Sequence, residues 1–184
     1  MNDFKGADSI RNFLSKIFAE KIPVFLSCED FINEIKHSLR NIVNTKFSSS
    51  FTIERDAHNS YCLLFFTNSE RGFEKMLETK WSLDETRGQG FRLDCLQTSM
   101  FKAGVLDNYK GKVFNYISST LSRNNIEIKL FGLENEYLPK HTLEALRELK
   151  KENKIEVIDE SGKPARSFYL SDKNRKVNIL RKER

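Results

Sequence analysis

Glu127-Ile128-Lys129, with Asp107 upstream, has the E-x-K order of a metal-dependent nuclease, in which the acids would help hold magnesium. In a chain with 31% charged residues such a tripeptide arises readily, and alternating Glu and Lys on the wet face of an edge strand is the simpler expectation. Gly88-Gln89-Gly90 invites a phosphate-loop reading, but a dinucleotide loop follows a strand and opens a helix, whereas Asp84-Glu85-Thr86-Arg87 leads into this one. His37, His58 and His141 lack metal-ligand spacing, and no Ser or Cys stands in a nucleophile-elbow context. Cys28, Cys62 and Cys95 are too far apart for a zinc site and odd in number, which suggests buried thiols. The sequence therefore nominates no catalytic, cofactor-binding or metal-binding residue.

Basic side chains carry the remaining chemistry. Up to Gly104 there are 14 Lys+Arg against 14 Asp+Glu, and beyond it 17 against 12, so the whole +5 excess belongs to the C-terminal part. From Lys163 to Arg184 there are 8 basic and 2 acidic residues. Such a cluster beside a folded module can recruit the counterion-release contribution to nucleic-acid binding, although a basic tail also serves plain solubility. A helix beginning at Pro139 would present Lys140, His141, Glu144, Arg147, Glu148 and Lys151 on its wet side, able to address base edges or phosphates. Lys140 and Glu144 can instead pair at i, i+4. Lys163 and Arg166, with Lys173, Arg175 and Lys176 just beyond, are better placed for phosphate contact than the helix is.

The chain of 184 residues is 39% hydrophobic, enough for one generous core or two small ones. Three prolines and eight glycines exclude a low-complexity chain, and no run approaches the roughly 18 apolar residues of a membrane span. Met1 to Ile10 has no apolar leader core, so a cytoplasmic location is expected.

The positioning elements follow from periodicity. Asp8 can cap a helix with Ile10, Phe13, Leu14, Ile17 and Phe18 on one face, stopped by Pro23. Ser27 and Asp30 form the Ser-x-x-Asp start of a second, with Phe31, Ile32, Ile35, Leu39 and Ile42 behind. Ser48-Ser49-Ser50 is expected to break it. Phe51 to Arg55 and Tyr61 to Phe66 then read as a hairpin around Asp56-Ala57-His58-Asn59. Its second strand, apolar on both faces, should be central in a sheet; Ile22 to Leu26 or another chain would supply the missing neighbour. Asn68 or Ser69 starts a helix with Phe73, Met76, Leu77 and Trp81 on one side.

After Gly104 the pattern is a compact α+β unit. Lys110 to Ser122 reads as a helix burying Val113, Phe114, Ile117 and Leu121, and Ile126, Ile128 and Leu130 alternate as a short strand. Gly132 to Tyr137 reads as a turn or short irregular helix. Pro139 opens a helix with Thr142, Leu143, Leu146 and Leu149 inward, ending near Asn153. Ile155 to Ile158, a polar turn at 159–163, and Ser167 to Leu170 complete a hairpin. Helix, strand, helix, hairpin is the winged helix-turn-helix order.

Two stretches resemble a known family. Tyr61-Cys62-Leu63-Leu64-Phe65-Phe66-Thr67-Asn68-Ser69-Glu70-Arg71-Gly72-Phe73, with Met76 and Trp81 following, is similar to the last strand and helix of the three-Cys-motif partner proteins, where T-N-x-x-x-G-[FL]-x-x-M ends a Rossmann-like, methyltransferase-type domain. Leu138-Pro139-Lys140-His141, Glu144 to Leu149 and Lys154 to Val157 resemble the winged-helix module that closes those bacterial and archaeal proteins. The resemblance covers roughly Phe31 to Leu170. Members place a glycine-rich cofactor half before this region, and nothing in Met1 to Ser27 matches it, so no cofactor is implied here. The three cysteines do not form the clustered motif of the partner for which the family is named.

The expected fold is therefore an α/β remnant of a Rossmann-like sheet with an antiparallel terminal hairpin over residues 1–104. An α+β winged helix-turn-helix domain with a basic tail would follow over 105–184. The expected function is a non-catalytic adaptor that binds duplex DNA. A three-Cys-motif protein, or a second copy held through the first domain, would be its protein partner. The alternatives are a subunit of a partner-dependent methyltransferase-like or nuclease-like enzyme, and a module for protein contact alone.

Overall fold

Ser27 stands in extended conformation and its hydroxyl accepts the Asp30 N–H at 3.0 Å, while the Asp30 carboxylate accepts the Leu26 N–H at 3.0 Å. One first-turn donor that a helix start leaves without an intrahelical partner is thereby satisfied, and the chain just before the cap is fixed to the helix, which sets where the second helix begins. A computed structural model of the chain describes residues 7–19, 22–54, 60–84, 88, 90–91, 101–172 and 174–182. These residues form a mixed α/β structure with small antiparallel sheets and six helices. They divide into two compact units, Met1–Phe73 and Glu74–Arg184.

The first unit holds α1 (Ala7–Phe18), α2 (Cys28–Ile42), the antiparallel pair β1 (Phe47–Glu54) and β2 (Ser60–Thr67), and the first turn of α3 (Glu70–Leu83). Phe25 sits between Phe18 and Phe31, with ring centroids 5.9 and 4.8 Å away, so an aromatic cluster ties α1 to α2. Phe47 and Phe51 are buried on one face of β1, and Phe47 stacks on Phe73 at 4.8 Å.

Three expectations are corrected here. Ser48-Ser49-Ser50 is not what ends the second helix, which stops at Ile42, but lies within β1, opposite Phe66, Phe65 and Leu64, because strand pairing satisfies the serine backbone and alternation carries Ser49 into the interior. Ile22 to Leu26 is not a strand, and Val24 and Leu26 are exposed. Among the described residues β2 is paired on one side only, with β1, and so lies at the edge of the sheet they form; Tyr61 and Leu63 remain 55% and 53% exposed. The expected turn at 56–59 lies outside the described residues.

The start of α3 was legible: Ser69 Oγ accepts the Gly72 N–H at 3.0 Å. Its stripe is split, however. Phe73 packs within the first unit, while Leu77, Lys80 and Trp81 are buried within the second, so the division between the two compact units falls inside α3.

The second unit continues with β3 (Gly90–Phe91), α4 (Phe101–Ser118), β4 (Arg123–Asn124), α5 (Asn125–Glu134), α6 (Pro139–Lys151), β5 (Ile155–Asp159) and β6 (Val177–Arg181). Strands β4, β6 and β5 form an antiparallel sheet in that order, with Arg123 and Val157 both opposite Ile179. Tyr109, Val113 and Ile117 of α4, Ile128 of α5, Leu146 and Leu149 of α6, and Ile155, Val157 and Ile179 of the sheet share one core. Helices α5 and α6 approach closely at Gly132, where a Cβ would collide with Thr142 Oγ1 and lie 2.8 Å from the Tyr109 hydroxyl, itself hydrogen-bonded to Thr142 at 2.7 Å.

The alternating Ile126, Ile128 and Leu130 lie in α5, not in a strand, and only Arg123 and Asn124 are extended. The reason is a reciprocal cap: Asn124 Oδ1 accepts the Glu127 N–H at 2.9 Å and Glu127 accepts the Asn124 N–H at 2.8 Å. Leu121, expected in the core, follows the end of α4 and is 94% exposed. The second hairpin strand is β6, not Ser167 to Leu170. Phe168 and Leu170 instead insert into the core from a loop, and Pro164 bridges Ile158 while the Ala165 N–H donates to the Val157 carbonyl at 2.9 Å.

Candidate functional site

Helix α6 begins with Pro139 in its first turn, where a missing N–H costs nothing. His141 Nδ1 accepts the Leu138 N–H at 3.3 Å, and the imidazole lies 4.2 Å from the Trp81 ring. Burial pushes the His141 pKa down to about 4, with the Lys140 ammonium adding to the effect. The expectation of a wet His141 is thereby corrected: it is only 9% exposed and positions the helix start.

A buried neutral His makes stability depend on pH. The unfolded chain takes up the proton below its ordinary value of 6.5, whereas the folded chain resists it until about 4. The contribution is complete above pH 6.5 and is lost as the pH falls through that window. Relative to His141→Gln, the wild-type chain is expected to lose about 2–3 kcal/mol between pH 7.5 and 4.5, measured by urea unfolding. Parallel losses in both proteins would remove His141 as the cause.

The opposite side of α6 is wet. Lys140, Glu144, Arg147 and Lys151 are exposed and fall at i, i+4, i+7 and i+11, a single strip along the helix. Thr142, Ala145, Leu146 and Leu149 face the core. The residues flanking the strip are occupied: Glu148 pairs with Lys110 of α4 at 3.0 Å, and the Lys150 ammonium lies 5.8 Å from the centre of the Phe168 ring. Among the described residues none of the four in the strip makes an ion pair, and the alternative i, i+4 pairing of Lys140 with Glu144 is not formed.

The loop between β5 and β6 carries the other predicted residues. Asp159 accepts the Ser161 N–H, the Ser161 hydroxyl and the Lys163 N–H at 2.9, 2.7 and 2.9 Å, which holds its carboxyl below the usual range. Gly162 takes φ +80°, a conformation glycine adopts without strain, and the tight turn presents Lys163 to solvent. Arg166 and Lys176 are exposed as well. Arg175 lies 3.6 Å from Asp172 and over the Tyr169 ring, 5.1 Å from its centre. Lys173 lies outside the described residues.

Asn125 is the positioning residue that the sequence reading missed. Fully buried, its amide nitrogen donates to the carbonyls of Tyr169 and Arg175, both at 2.9 Å, and its oxygen accepts the Val177 N–H at 3.2 Å. One side chain at the start of α5 thus holds Tyr169, Arg175 and Val177, the C-terminal half of the basic loop and the start of β6. The only local signal was its place beside the Asn124 cap. Between the start of α6 and this segment runs an open groove of about 770 Å³, lined by Lys140, Leu143, Tyr169, Ser171 and Asn174 among others.

The nuclease-like constellation is not brought together. Glu127 caps α5, Lys129 lies 3.1 Å from Glu74 of α3, and Asp107 faces Lys110 on α4 at 3.7 Å. Gly88, at φ +61°, lies against the Trp81 indole and its N–H donates to the carbonyl of Asp84, the residue after the end of α3 at Leu83. Trp81 in turn donates its ring N–H to the Glu136 carbonyl at 2.9 Å, and the almost fully buried Lys80 ion-pairs with the Glu136 carboxylate. Both contacts fasten α3 to the turn between α5 and α6.

No helix among the described residues is long and apolar enough to cross a membrane. Comparison with protein-family models, with curated proteins and with solved structures finds no match. The arrangement itself presents donors suited to phosphate oxygens and base edges, on a rigid helix and an adjoining pinned loop.

Proposed function

We propose that the C-terminal part of the chain, from about residue 105, is a winged helix-turn-helix domain that binds duplex DNA, and that the protein is a non-catalytic adaptor. Helix α6 is the reading helix; the loop from Lys163 to Lys176 is the wing that contacts phosphates. The observation that carries this reading is the exposed α6 strip, free of ion pairs among the described residues, next to a basic loop. The order α4-β4-α5-α6-β5-β6, with the sheet order β4-β6-β5, supports it. The resemblance of Leu138 to Val157 to the closing module of three-Cys-motif partner proteins points the same way, and with it residues 1–104 are read as part of a Rossmann-like sheet.

Binding of the purified chain to a mixed duplex pool across a salt series tests the proposal. The expected result is an affinity whose logarithm falls linearly with the logarithm of salt, by about 0.9 for each phosphate contacted. Absence of binding at low salt would sink it. The exposed Tyr61 and Leu63 on the one-sided strand β2 favour a second role, in which the first unit docks a protein such as a three-Cys-motif partner or a second copy. Mass measured in the same buffers detects self-association.

A further inference from the structure

We infer that the α6 strip reads G·C base pairs in preference to A·T pairs through the major groove, an inference that rests on the duplex-DNA reading above. In that groove guanine offers two acceptors, O6 and N7, and cytosine offers the N4 amino donor; adenine offers one acceptor beside one donor, and thymine an acceptor and a methyl group. The forked guanidinium of Arg147 and the ammonium groups of Lys140 and Lys151 are donors only, which suits the paired acceptors of guanine. The ionised carboxylate of Glu144 is acceptor only, which suits the cytosine amino group.

The side chains that address A·T are missing from the strip. Reading adenine takes a group that donates and accepts together, and residues 139–151 contain neither Asn nor Gln. Contact with the thymine methyl takes a small apolar surface, yet Thr142 and Ala145 face the core and Leu143 is half-buried beside the groove. Glu144 is the discriminating residue. A face built for phosphates alone gains nothing from a carboxylate, which a polyanion repels. Here one sits between Lys140 and Arg147 on the same strip, exposed and in no ion pair among the described residues, while the neighbouring acid Glu148 is neutralised by Lys110.

The test uses the full chain and two duplexes of equal length with identical flanks, one with a G·C-only core and one with an A·T-only core, titrated by fluorescence anisotropy at low salt and at 0.15 M. The G·C duplex is expected to bind at least about tenfold tighter, the discrimination of roughly one good side-chain pair. Arg147→Ala should remove most of that preference, weakening G·C binding about tenfold more than it weakens A·T binding. Glu144→Gln should shift the preference toward A·T, because the amide can both donate to and accept from adenine. Both positions are exposed, and thermal melting of the variants verifies that they fold. Equal binding of the two duplexes, an A·T preference, or a Glu144→Gln variant that gains equally on both overturns the inference and leaves the duplex-DNA reading standing. No binding to either duplex at low salt overturns that reading and this inference together.

Discussion

Replacing Lys163, Arg166, Arg175 and Lys176 together by glutamine is expected to weaken duplex-DNA binding by two to three orders of magnitude near 0.1 M salt, and to flatten the salt slope by roughly 3 to 4. Each cation that neutralises a phosphate releases condensed counterions, so the loss falls on every sequence alike and vanishes toward high salt. The fold should be little disturbed. Three of the four make no ion pair among the described residues, and Arg175 forms only an exposed contact with Asp172 and lies over the Tyr169 ring, of the kind worth about 1 kcal/mol or less. Anisotropy titrations at several salt concentrations, with melting curves as control, give both quantities. Unchanged binding would remove the loop from the mechanism and leave α6 alone, whereas a loss confined to some duplexes would make the loop a reader instead of a clamp.

Asn125→Leu is expected to cost about 3–5 kcal/mol of folding stability, because it strands two carbonyls and one N–H that the amide satisfies inside the protein. The side chain that replaces it is of similar size, so the deficit is one of polar pairing and not of volume. Urea unfolding gives the magnitude, and hydrogen exchange at the Val177 amide locates it. Protection there should collapse first, since Val177 N–H loses its acceptor while the remaining ladder between β5 and β6 stays paired. With the 169–177 segment released, DNA affinity should fall alongside stability even though no cation has been removed. A change below about 1 kcal/mol would mean that water replaces the amide, and the loop would then owe its position to Phe168 and Leu170.

What was legible in the sequence was what short-range physics decides. Ser27 with Asp30, Ser69 ahead of Gly72, and Pro139 mark helix starts because a cap acts over three or four residues, and each start lies where the side chains require it. The β1 and β2 hairpin followed from strand propensity. Ile126, Ile128 and Leu130 misled because a spacing of two over five residues fits a strand and also one turn of helix; the reciprocal bonds of Asn124 and Glu127 settle the matter in favour of helix.

The candidate site divides in the same way. Lys140, Glu144, Arg147 and Lys151 share a face because helical geometry alone puts them there, and the basic character of the region from Lys163 onward is a matter of composition. Nothing local distinguished His141 from its wet neighbours, since its burial comes from Trp81, sixty positions earlier in the chain. Nothing local announced that β6 is Val177–Arg181 either, because Ser167 to Leu170 has as good a strand pattern. The sequence by itself thus determined the helix starts, the apolar stripes and the charge of the C-terminal part, all consequences of interactions between near neighbours. Only the tertiary structure decided which apolar residues leave their stripe, where α3 changes allegiance from one core to the other, and that Asn125 holds a loop some fifty residues away. Burial and hydrogen-bond satisfaction are settled by whatever segments the fold brings together, whatever their separation along the chain.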